Sequence, residues 1–183
     1  MGRSSLSRRA LAAVVVMSVA AIAGTAAALA ASSSVAGGSF RVFGVSNGLG
    51  AGGTTLLTGA IGDHGRSESV TKSGKVSQNG HYVRLKLSRG TMTLNKTALD
   101  TAVGKAFNRA VPNRANCSLS VVASGKLPFV SGTGLYARVK GSVHITVAAG
   151  FILPLKNGKC DMSNSVTPTA SQQIVYGTGT ASF

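Results

Sequence analysis

The chain has 183 residues, 19 basic against four acidic side chains, a net charge of +15, no tryptophan and two cysteines. So few acids leave paired-carboxylate chemistry little to draw on, and two cysteines without a second pair of suitably spaced ligands argue against structural zinc. The length fits one domain behind a leader.

Residues 1–30 read as a signal peptide. Arg3, Arg8 and Arg9, with no acid, precede the uncharged run 10–31, the order of a basic n-region and an apolar h-region. The run is long enough to span a bilayer, so an uncleaved anchor is the alternative. It is nevertheless rich in Ala and Val, and Ala28-Leu29-Ala30 fits an A-x-A cleavage site, with Ser34-Val35-Ala36 as a later one. Ser7-Arg8-Arg9 before Ala10-Leu11 also resembles a twin-arginine signal, without its usual Lys. The mature chain is therefore expected to be secreted or cell-wall associated, with no stable membrane insertion after cleavage. It keeps 16 basic residues against four acids, a net charge of +12. These cations never form a run. Their summed field attracts polyanions, which makes an anionic cell-envelope polymer an expected partner.

Residues 31–39 are small and polar apart from Val35 and read as a disordered lead-in. Residues 40–183 are the predicted single domain. Phe40–Val45 and Thr54–Thr58 are strand candidates bounded by glycines. After the turn signal Asn79-Gly80, His81, Val83, Leu85 and Leu87 share one face and Tyr82, Arg84, Lys86 and Ser88 the other. Met92 and Leu94 repeat the pattern. Leu99, Val103 and Phe107 recur four residues apart and predict a helix over 98–107, with Thr97 as cap and Asp100 completing an approximate capping box. Strands resume at Cys117–Ala123 and Ser142–Ala148, and the chain ends on a Val-, Tyr- and Thr-rich stretch over 172–183. Alternation with one wet face belongs to antiparallel sheets. Many short strands with one short helix predict an all-β fold, an eight-stranded antiparallel barrel, because closure removes exposed edges; a two-sheet sandwich is the alternative.

Gly48-Leu49-Gly50-Ala51-Gly52-Gly53 spells a dinucleotide-binding fingerprint, but the next segment is strand-like where a helix must begin, so it reads as a loop. His64, His81 and His144 lie too far apart for a local metal pattern. The parity of His81 makes it the candidate interior polar residue near a barrel mouth; a satisfied strand-end histidine is the alternative. Asp63, in Gly62-Asp63-His64-Gly65, reads as turn chemistry, and Asp100 as part of the helix start. No catalytic residues, metal site or cofactor are predicted, and scarce aromatics argue against nucleic acid. Cys117 and Cys160 are expected to form one disulfide in an oxidising compartment, against a buried free thiol as the alternative.

Ser131-Gly132-Thr133-Gly134-Leu135-Tyr136-Ala137-Arg138-Val139-Lys140-Gly141, leading into the alternating strand, resembles the glycine-rich segment of the allene oxide cyclase and dirigent-like barrel group, with Ala137 where glycine is frequent. The stretch through Asn157-Gly158-Lys159-Cys160 to Gly177-Thr178-Gly179-Thr180 is similar to uncharacterised small exported bacterial proteins related to that barrel. The resemblance implies an interior able to hold a lipophilic ligand. The plant members' catalytic residues match no position here, so their activity is not carried over. The expected function is a non-enzymatic binding module for a small lipophilic ligand or an anionic envelope polymer; a cyclase-like or dirigent-like enzyme using the cavity is the alternative.

Overall fold

The computed structural model describes residues 35–46, 52–163 and 166–183; the predicted signal peptide and both cleavage sites' leading residues lie outside them. Eight strands form a closed antiparallel barrel: β1 (Gly38–Ser46), β2 (Gly52–Gly59), β3 (Asp63–Val70), β4 (Tyr82–Leu87), β5 (Gly90–Asn95), β6 (Ser118–Gly132), β7 (Lys140–Ile152) and β10 (Ala170–Ser182). A two-stranded ribbon, β8 (Leu155–Lys156) and β9 (Lys159–Cys160), lies between β7 and β10. Each barrel strand pairs with its neighbour in sequence, except that β10 slots between β7 and β1 and closes the ring. The barrel is the predicted one, and the sandwich is not formed.

Alternation decides the interior. Phe40 and Val42 of β1, Leu85 of β4, Met92 and Leu94 of β5, Leu127 of β6 and Val143, Ile145 and Val147 of β7 are buried inside. Each such side chain, taken out of water, contributes roughly 1.5–3 kcal/mol. The lead-in is shorter than expected: Val35 is buried in this core, and Gly38 and Ser39 already pair with β10. Ordered chain thus begins ahead of Phe40, because a strand partner and a core contact are both available to it. Between β5 and β6 the register shifts by one residue, next to Pro128, which has no N–H to give to a ladder.

Helix α1 (Thr97–Arg109) is longer than its periodic core, and its predicted cap is not formed. Thr97 is already helical; its N–H donates to Asn95 Oδ1 at 2.9 Å, and Lys96 occupies the N-cap position without a side-chain cap bond. Asp100 is drawn instead into ion pairs.

The helix sits at one end of the barrel with Leu99 over the inward face of β6 at Gly125, where an added Cβ would stand 2.8 Å from Leu99 Cα and 2.9 Å from its N. Backbone cannot yield there as a side chain can, so Gly125 sets how deeply the helix seats. Gly125→Val is expected to cost about 1–3 kcal/mol by overpacking. It should also raise amide exchange along α1 more than along β7. Uniform exchange rates with unchanged stability would show that the close approach is not needed.

Candidate functional site

The barrel has a sealed end and an open end, and chemistry is divided between them. At the sealed end Asp63, whose side chain is 1 % exposed, is the hub. It accepts hydrogen bonds from Ser88 Oγ at 2.5 Å, Tyr136 Oη at 2.5 Å and the backbone N–H groups of His64, Ser88 and Arg89 at 2.7, 3.2 and 3.2 Å. Arg89 Nε lies 3.5 Å away, and the same guanidinium donates to the carbonyls of Ile61 and Gly62. Burial alone would raise the Asp63 pKa, but these donors outweigh it and hold the carboxyl well below its usual range. Burial and the Asp63 hydrogen bond push Tyr136 up to about 12. Around the hub, the Tyr136 and Phe183 rings and the Phe40 and Phe129 rings meet at 5.9 and 6.0 Å. Asp63 is therefore a structural plug rather than a simple turn residue.

Above the plug lies a cavity of about 300 Å³. Val42, Leu85, Leu94, Val143, Ile145 and Val147 line its wall, and Leu99, Val103 and Phe107 of α1 form its roof. The stripe that predicts the helix is thus the stripe that covers the cavity. Polar groups gather at the mouth: Gln78, Gln173, Lys96 and Asp100. Lys96 Nζ lies 2.5 Å from Asp100 Oδ1, and His81 Nδ1 lies 3.1 Å from Asp100 Oδ2.

His81, expected from its parity to point inward, lies outside the cavity beside Asp100. Its side chain is 67 % exposed, because β4 pairing begins at Tyr82 and Asp100 on the helix draws the imidazole over the rim. His64 and His144 are exposed on the barrel's outer surface, so the three histidines do not converge. Gly52 and Gly53 open β2, a strand where the dinucleotide fingerprint needs a helix; residues 47–51 lie outside the described chain. Among the described residues, no three His, Cys, Asp or Glu side chains gather as metal ligands would.

No family model, curated protein or solved structure matches the chain.

Two further features frame the mouth. Cys117, just before β6, is bonded to Cys160 of β9 with an S–S distance of 2.07 Å. Beside this bond, Leu119, Val121, Phe151 and Leu153 form a second apolar cluster, against which Phe107 of α1 packs. On β3, Glu68 has the parity of Arg84 and Lys86 on β4, opposite to Leu85, and bonds to both: Arg84 Nη2 at 2.5 Å and Lys86 Nζ at 3.1 Å from Oε1. Burial would raise its pKa, and these two cations more than reverse that. Among the described residues, no helix is long and apolar enough to cross a membrane.

Proposed function

We propose that the protein is an exported, non-enzymatic barrel that binds a small lipophilic ligand in its interior. The observation that supports this most directly is the cavity of about 300 Å³, largely apolar in wall and roof apart from Thr55, with most of its polar groups toward the mouth. That division suits a ligand with an apolar body and a small polar end, and the volume is at the lower limit of ordinary ligand pockets. A cyclase-like or dirigent-like enzyme calls instead for a carboxylate or histidine with a displaced pKa beside the apolar wall. Asp63 has a displaced pKa but is sealed in the far end, Glu68 at the mouth has one too but is tied up by Arg84 and Lys86, and Asp100 is held on the rim between Lys96 and His81. With all three carboxylates committed, binding is favoured over catalysis.

Export belongs to the same proposal. The Cys117–Cys160 bond fits an oxidising compartment. Cleavage after Ala30 is the favoured site, because cleavage after Ala36 would remove Val35 from the core.

Native mass spectrometry of the secreted protein with co-purifying molecules retained, and titration with the apolar fluorophore N-phenyl-1-naphthylamine, test the interior directly. Ala123 faces the cavity. Ala123→Phe fills part of that space, and is expected to weaken fluorophore binding at least tenfold while circular dichroism stays unchanged, since one tenfold step is only about 1.4 kcal/mol. Equal binding by the variant would place the fluorophore elsewhere and remove the support for an interior site.

A further inference from the structure

On the outer face of the barrel, strand register lines up one row of side chains across five strands. Arg41 of β1 pairs with Thr58 of β2 on one side and Thr178 of β10 on the other; Thr178 pairs with His144 of β7, and His144 with Lys126 of β6. Ser142 and Thr180 add hydroxyls beside this row. The row forms the floor and sides of a shallow depression of about 760 Å³.

Its charge is all of one sign. β1, β10, β7 and β6 contain no Asp or Glu. The acids elsewhere are committed: Asp63 in the plug, Glu68 to Arg84 and Lys86, Asp100 at the mouth, and Asp161 to the Ser163 N–H. Among the described residues, Arg41 and Lys126 have no ion-pair partner, and the hydroxyls of Thr58, Thr178, Thr180 and Ser142 have no side-chain hydrogen bond. Unpaired cations are common on so basic a surface; what sets this lane apart is that register gathers two of them with His144 and four hydroxyls along one depression.

We propose that this lane is a binding groove for a linear phosphate-bearing polymer. Arg and Lys meet phosphate oxygens with charge-assisted hydrogen bonds, and hydroxyls donate to the same acceptors. Arg41 and Lys126 stand three strands apart, about 14 Å at the usual spacing between neighbouring strands. That distance is too great for one small anion and suits successive phosphates along a chain. The depression is concave, so a chain one molecule wide can lie in it, whereas a flat bilayer would meet the neighbouring apolar row of Leu56, Phe43 and Tyr176 first. The groove is on the opposite side of the wall from the cavity and does not depend on what the interior binds.

The probe is purified poly(glycerol phosphate), titrated against the folded secreted protein at several salt concentrations. Arg41→Gln with Lys126→Gln is expected to weaken binding on the order of tenfold and to flatten its salt dependence, because fewer counterions are released on binding. Lys105→Gln with Arg109→Gln removes the same charge from the exposed face of α1 and should change affinity less than twofold. Arg41→Lys with Lys126→Arg should restore binding, and Ala123→Phe should leave it unaltered. Equal losses in the two double glutamine variants would mean that net charge alone attracts the polymer, and would overturn the groove. So would preferential binding to phosphatidylglycerol vesicles that Phe43→Ser with Tyr176→Ser abolishes, which would make the face a bilayer contact.

Discussion

Replacing Asp63 by alanine is expected to lower stability by about 3–5 kcal/mol, the range for breaking a buried, charge-assisted network by removing one member. The loss exceeds that of one hydrogen bond because five donors converge on this carboxylate. Without it the buried Tyr136 hydroxyl and the Arg89 guanidinium lose their anionic partner together. Asp63→Asn keeps the shape but presents an amide NH₂ to groups that are themselves donors, so it should be nearly as costly. Urea unfolding reads the effect as a lower midpoint at unchanged slope. A loss below about 1 kcal/mol would show that the donors find other acceptors and that the plug is not held by charge.

The same hub sets a pH window. The folded Asp63 pKa is depressed below the ordinary 3.8, so the unfolded chain takes up the proton first. Its contribution is complete above about pH 4 and is lost as pH falls toward the folded value. Tyr136 is the reverse case: raised from 10.0 to about 12, it keeps its proton longer when folded. Its contribution is complete below pH 10 and is lost as pH rises through 12. Stability from this pair should therefore be flat across the neutral range, and Asp63→Ala should reduce the acid-side slope, leaving the part that Glu68 contributes.

Cys117→Ser combined with Cys160→Ser is the second large effect. The bond closes a loop spanning a sequence separation of 43, for which chain entropy gives about 4 kcal/mol, with measured effects typically 2–4. Here the loop contains all of β6 and β7, the longest hairpin of the barrel, so the cross-link restrains the unfolded chain across its central hairpin. Some of the loss should appear locally: the 153–169 segment loses its tie to the base of β6, and Leu153 and Phe151 should become more exposed. Non-reducing peptide mapping is expected to show one linked pair, with a lower melting temperature for the double serine variant. Two free thiols in the native protein would refute the bond and restore the buried-thiol reading of Cys117.

What was legible in the sequence was what alternates. β1, β4, β5, β6 and β7 each place apolar side chains at every second position over part of their length, and α1 places them at every fourth; β2 and β10 were legible instead as β-branched residues among glycines. β3 was hidden because its inward positions are Asp63, Gly65, Ser67 and Ser69, side chains that give no hydrophobic signal. They are small or polar because they serve the plug, the close approach of Lys86 and the cavity mouth. The Asp63–Tyr136 bond joins residues 73 apart, a separation that no local pattern reports. The only hint was that Asp63 is one of four acids in a chain of 19 cations, flanked by glycines that permit tight backbone. The rim was half legible. Parity gave His81 an inward face, whereas its imidazole stands exposed beside Asp100 of α1. The outer lane needed strand register, since Arg41 joins the His144–Lys126 pair only once β10 stands between β1 and β7.

That insertion also fixes an order of events in time. β10 is the last barrel strand to be synthesised, yet it is the stave between β7 and β1, the latter the first strand made. Until it exists the ring is an open sheet with two bare edges, and each edge is a template for strands of another chain. The ribosome must therefore have produced β10 before the fold can close, and the long-range pairing between first and last strands keeps that final step slow compared with hairpin formation. A nascent molecule passes through a prolonged unclosed period, open to holding factors that bind extended chains, and a chain truncated before Ala170 would remain in that period permanently.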